Sequence, residues 1–231
     1  MPIDLIKPDT MKTQQKFRHQ PAGLKIRSSM LALLTLVGGV AMAEMPEPAL
    51  PKVLLIGDSI MGGYFRDTEK NMKGKAQVVR IDGQGGTTEN GLAKLDQWLG
   101  DTDWDVIHFN WGLHDICYRH PQSKLMGQRD KVNGHISVTL EDYQKNLEEL
   151  ILRLKKTRAK LIFATTTKVP EGEPGRHVGD EVRYNKVAVE IMKKHGVPIN
   201  DLYSLTAGFT PDLFAKPEDV HFSGKANTAL A

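Results

Sequence analysis

From Lys52 onward, short apolar runs of strand type alternate with amphipathic stretches of helical period. The runs are Lys52–Ile56, Gln77–Ile81, Asp105–Asn110, Lys160–Thr165 and Pro198–Tyr203. They are rich in Val, Ile and Phe and mostly bounded by Gly, Asp or Pro, as strands are. Thr139-Leu-Glu-Asp142 reads as a capping box. It opens a helix whose apolar residues, Leu140, Tyr143, Leu147, Leu150, Ile151 and Leu154, fall at helical spacing. A second helix covers about Asp180 to Lys194 and stops at Gly196. Such alternation predicts an α/β fold, a parallel sheet covered on both faces. Two polar, irregular segments interrupt it, Ile116–Val138 and Lys168–Gly179. Both follow the C-terminal ends of strands, the edge at which open α/β sheets bind ligands.

The N-terminus is of another kind. Lys25 and Arg27 precede an apolar stretch, Met30–Ala43, that ends in Ala41-Met42-Ala43. The stretch is short for a membrane span, which needs about 20 residues. It reads as a secretory signal over residues 1–43. A Pro-rich linker, 44–51, then leads into one domain, 52–231. Residues 1–43 hold six of the 31 Lys and Arg and two of the 28 Asp and Glu. The remainder carries 25 basic and 26 acidic side chains, a net charge of −1. The basic character thus belongs to the leader, and nucleic acid is not an expected partner. The lone Cys117 cannot form an intrachain disulfide. A domain of about 188 residues buries enough apolar surface without one.

The run Lys52–Ile56 ends in Gly57-Asp58-Ser59. A serine there can cap a helix, bind a phosphate or act as a nucleophile. Three more polar clusters follow strand ends: Asp82–Leu92 ("DGQGGTTENGL"), Asn110–Asp115 ("NWGLHD") and Pro217–Ala226 ("PEDVHFSGKA"). Neither Gly-rich phosphate-loop pattern occurs. Together the clusters supply a hydroxyl nucleophile, a histidine base with carboxylates beside it, and oxyanion donors, the set that acyl transfer needs.

In order and spacing these clusters resemble the SGNH/GDSL hydrolase superfamily. Gly57-Asp58-Ser59-Ile60 resembles its Gly-Asp-Ser-Leu block, and "GGTTENGL" its second block. "GLHD" stands where the third reads Gly-x-Asn-Asp, and "EDVH" where the fifth reads Asp-x-x-His. The resemblance implies a three-layer α/β/α, flavodoxin-like fold with a five-stranded parallel sheet of order 2-1-3-4-5. It implies a serine esterase with Ser59 as nucleophile and His221 as base. The backbone N–H groups of Ser59 and Gly85, with His114 in place of the usual Asn, would form the oxyanion hole. Glu218 is favoured by register as the acid that orients His221, with Asp219 the alternative. Asp58 and Trp111 are expected beside the substrate, Trp111 as a surface for a sugar ring. No cofactor is implied.

Two rival readings are a metal site from His108, His114, Asp115 and His120, and a carbohydrate-binding relative that lost its chemistry. Secretion and long polar loops favour a water-soluble substrate, an O-acetylated carbohydrate first and a lipid or thioester second. The protein is expected in the periplasm or outside the cell, without membrane insertion after signal cleavage.

Overall fold

The computed structural model describes residues 49–122 and 128–231. The expected signal segment lies outside the described residues. Among the described residues, seven strands and six α-helices follow in chain order: β1 (Lys52–Ile56), α1 (Ser59–Asn71), β2 (Gln77–Arg80), α2 (Thr88–Leu99), β3 (Val106–Phe109), β4 (Tyr118–Arg119), β5 (His135–Ile136), α3 (Leu140–Leu154), β6 (Lys160–Ala164), α4 (Asp180–His195), β7 (Ile199–Asn200), α5 (Leu202–Ala207) and α6 (Gly224–Leu230). Five strands form one parallel sheet in the order β2-β1-β3-β6-β7. Counting only those five, this is the expected order 2-1-3-4-5.

Register explains the layers. Leu54 pairs with Ile107, which pairs in turn with Leu161, and Ile56 pairs with Phe109, which pairs with Phe163, so these side chains share one face. Leu54, Ile56, Ile107, Phe109 and Phe163 are all but wholly buried. Burying each such side chain is worth about 1.5–3 kcal/mol. The packed helices α2, α3 and α4 cover this side, where α3 contributes the expected stripe Tyr143, Leu147, Leu150, Ile151 and Leu154. Its N-cap is Thr139, whose hydroxyl accepts from the Asp142 N–H at 3.1 Å. On the other face, α1 and α6 pack together over Val53, Leu55 and His108.

Two segments depart from expectation. The fifth sheet strand is two residues long, not six. Asp201 ends it by capping α5, its carboxylate accepting from the Ser204 N–H at 3.1 Å. Within the irregular segment 116–138, β4 and β5 form a small antiparallel ribbon. Two-residue strands carry no periodicity by which a sequence could announce them.

Candidate active site

The β1–α1 turn decides what Ser59 does. Asp58 is the N-cap of α1, and its carboxylate accepts from the Ile60 N–H at 2.9 Å. The capping role that competed for Ser59 is therefore filled by its neighbour, and Asp58 is buried rather than offered to a substrate. Ser59 begins the helix with its hydroxyl free to point away. A Cβ on Gly57 would lie 2.6 Å from Met61 Cβ, so the turn demands glycine. Ser59 Oγ stands 2.8 Å from His221 Nε2.

His221 sits on a hairpin pinned by the Phe214–Phe222 bridge and by hydrogen bonds from Ala215 N to His221 O and from Ser223 N to Leu213 O, each 2.8 Å. The expected preference for Glu218 over Asp219 is not met. Asp219 Oδ1 lies 2.6 Å from His221 Nδ1 and also accepts from the His221 N–H at 3.1 Å. Glu218 has φ 59°, in the left-handed region uncommon for a residue with a Cβ. That twist turns its exposed side chain onto Gly172 and leaves the next residue facing the imidazole. Partial burial pushes the Asp219 carboxyl up, but hydrogen bonds from His221 and the charges of His221 and Arg129 outweigh it. The net effect holds Asp219 below its ordinary value. With an ionised Asp219 on Nδ1–H, the lone pair of Nε2 faces the serine hydroxyl.

The third cluster is shaped by Gly112, at φ 145°, where a Cβ would come within 2.1 Å of Thr166 Oγ1. The Trp111 carbonyl accepts from Tyr143 Oη at 3.0 Å and from Thr166 Oγ1 at 3.3 Å. Trp111 is 1% exposed, packed at a tilt near Phe109 and against Gly91. It is core and cannot stack on a sugar, because strand-end position alone does not say which way a side chain turns. His114, half-buried, has its imidazole pushed below the ordinary value. Burial is the main cause, Asp58 opposes it, and positive charge on Arg176, Arg119 and His221 adds to the lowering. His114 is accordingly neutral at neutral pH.

Asp115 does not face His114. Its Oδ1 accepts from Thr88 N at 2.8 Å and Thr88 Oγ1 at 2.6 Å, tying the third cluster to the start of α2. Burial pushes its carboxyl up to about 7. A carboxyl whose value is raised on folding stabilises most below its unfolded value and progressively less as pH rises through the folded one. Wild-type Tm should therefore fall between about pH 4 and 7 by the equivalent of about 4 kcal/mol from this group. Asp115→Asn keeps an acceptor for Thr88 and should flatten that fall. Thermal melts of both proteins at several pH values check this, and parallel curves would remove Asp115 as the cause.

The second cluster also departs from expectation. The Gly85 N–H, expected to face the oxyanion, donates to the Gly57 carbonyl at 2.8 Å. A Cβ on Gly85 would sit 3.1 Å from that oxygen, so the close approach suits glycine. Of the three donors expected of an oxyanion hole, that leaves the Ser59 N–H, at the donor-rich start of α1, and the His114 ring. The four residues of the metal reading part company. His108 Nε2 meets Asn200, Asp115 meets Thr88, and His120 Nδ1 accepts from Gln122 N. Among the described residues no three His, Cys, Asp or Glu side chains gather to hold a metal.

One group of side chains carries no motif. Glu173, fully buried, receives Arg176 and Arg129 on the same oxygen, Oε1, at 2.9 and 2.7 Å. Its loop stands out as long and polar, but periodicity cannot tell which of its charges are buried.

Against this geometry, the sequence pattern of the GDSL-like Lipase/Acylhydrolase family matches residues 55–229. The chain belongs to that family. It is a serine hydrolase acting on carboxylic esters. None of the curated proteins compared matches it. Solved structures share the SGNH hydrolase fold at low identity. A lipase/acylhydrolase from Enterococcus faecalis superposes with TM-score 0.62 at 23% identity, covering 78% of this chain and 93% of that one. The acetyl xylan esterase AlAXEase gives 0.62 at 16%, covering 78% and 95%. The acetylxylan esterase Axe2 from Geobacillus stearothermophilus gives 0.60 at 19%, covering 78% and 90%.

Proposed function

We propose that this GDSL-family esterase uses Ser59, His221 and Asp219 to hydrolyse short acyl esters, O-acetyl groups on a carbohydrate first. The observation that carries it is the chain of contacts from Asp219 through His221 to Ser59, 2.6 and 2.8 Å long. Ser59 Oγ attacks the ester carbonyl while His221 Nε2 takes its proton. The carbonyl oxygen becomes an oxyanion facing the Ser59 N–H and His114. The C–O bond to the alcohol then breaks, and His221 returns the proton to the leaving oxygen. Water hydrolyses the acyl-Ser59 by the same steps. Asp219 fixes the imidazole tautomer and stabilises its cation.

The carbohydrate reading draws on the polar loops over the site and on two fold neighbours described as acetyl xylan esterases. Export through the segment 1–43 agrees with a polymer substrate outside the cytoplasm. No helix of the described residues is long and apolar enough to cross a membrane. One observation favours a second reading, a longer acyl chain. A groove of about 400 Å³ beside the His221 hairpin is lined by Val169, Pro170, Phe209 and Phe214. Acetate release from a panel of acetylated polysaccharides, set against nitrophenyl esters of short and long acids, tests both. Acetate from a polysaccharide with poor turnover of long esters supports the first reading. Preference for long esters with no acetate release overturns it.

His114 supplies a further test. As a neutral donor it should be replaceable by another donor. His114→Asn should keep substantial kcat, and His114→Ala should lose about 10²–10³, as lost oxyanion donors do. Because its imidazole is pushed below about 6.5, His114→Asn should leave the pH profile unchanged above that value. Two equally inactive variants would exclude a simple donor role, and two near wild type would make His114 structural.

A further inference from the structure

We propose that Arg176, braced by Glu173, is a positioning residue for the oxyanion side of the site, a role that rests on the serine-esterase reading above. Arg176 belongs to the 168–179 loop and to none of the four motif clusters, yet it is only 4% exposed. A buried guanidinium is costly unless its donors are matched. Here Nε donates to the Leu113 carbonyl at 2.7 Å and Nη1 to Glu173 Oε1 at 2.9 Å. Glu173 is held in turn. Oε1 also accepts from Arg129 Nη1 at 2.7 Å, and Oε2 accepts from the Gly175 N–H at 2.7 Å.

The contact with Leu113 matters because of what its peptide carries. The Leu113 carbonyl and the His114 N–H lie in one planar unit, so fixing the carbonyl direction fixes the plane from which His114 departs. The nearby carbonyl of Trp111 is held by Tyr143 and Thr166. The turn is thus clamped on its core side by α3 and the end of β6, and on its loop side by Arg176. A guanidinium suits this task, since two donors of one rigid fork meet two fixed acceptors. An ammonium has the charge without the fork. The charge acts as well. The groups facing His114 are Asp58 from the cap of α1, Arg119 from β4, His221 from its hairpin and Arg176. Of these Asp58 favours the imidazolium, and Arg176, Arg119 and His221 oppose it.

If Arg176 served only to fasten its loop, its loss would lower Tm and leave kcat of the folded protein alone. If it positions His114, its effect must pass through His114, which a double-mutant cycle reads. The probe is nitrophenyl acetate, with kcat and KM measured across pH 5 to 9 and folding followed by circular dichroism. Arg176→Gln should lower kcat at least tenfold with KM little changed. Arg176→Lys, which keeps the charge without the fork, should lower kcat less. Placed on His114→Ala, Arg176→Gln should cost less than about threefold, because nothing remains to position. Equal kcat losses in both backgrounds, or a lowered Tm with kcat intact, would overturn the proposal. Should Arg176→Gln not fold, Arg176→Lys enters the same cycle, and equal losses in both backgrounds overturn the proposal there too. Ser59→Ala in the same assay separates the two claims. Turnover that survives it defeats the serine reading itself, whereas serine-dependent turnover indifferent to Arg176 defeats only the positioning role.

Discussion

Ser59→Ala should fold as wild type and lose at least about 10⁴ in kcat toward an acetyl ester. The reason is local. Asp58, not Ser59, caps α1, so truncating the serine removes no capping bond. The Oγ is hydrogen-bonded to His221 Nε2. Loss of that oxygen removes the proposed nucleophile and leaves the turn, the helix and His221 where they were. Circular dichroism and Tm should match wild type within the scatter of a surface substitution. A serine-directed phosphonate should label wild type at Ser59 and leave the variant unlabelled. Wild-type turnover in a folded variant would remove Ser59 from the mechanism.

The second large effect separates two adjacent carboxylates. Asp219→Asn should lower kcat by about 10⁴, because an amide at that position can donate to Nδ1 and favour the wrong tautomer. Glu218→Gln should change kcat by no more than about twofold, since Glu218 lies exposed against Gly172 and away from the ring. Measuring kcat for both variants decides the matter. Equal, small effects would mean that neither carboxylate supports His221. A larger loss at Glu218 would mean that the hairpin adopts another register when substrate binds.

How much of this is legible in the sequence follows from which signals repeat. The main sheet is legible because strands and helices each carry a period, and the capping box at Thr139 and the stop at Gly196 mark helix ends chemically. The clusters are legible because they fall where strands stop. Side-chain direction is not. Trp111 and Asp58 stand in the right places in the chain, and both turn inward. Glu218 and Asp219 differ by one residue, and the choice between them rests on one left-handed φ that no local pattern announces. Gly85 is found by matching motifs, but the partner of its N–H depends on how closely two turns approach. The Glu173 brace is hidden for a different reason. Its charges sit in an aperiodic loop, where burial is decided by tertiary packing alone.

The proposed acid and base, Asp219 and His221, lie two residues apart in one hairpin, while Ser59 is 162 residues upstream on another turn. The two links therefore depend on different scales of order. Asp219 can orient His221 through contacts internal to a few residues. The meeting of His221 with Ser59 requires β1, the docked hairpin and the helices α1 and α6 to be in register together. Turnover is thus a sensitive gauge of the whole domain's integrity, whereas the tautomer of the imidazole reports only on its own hairpin.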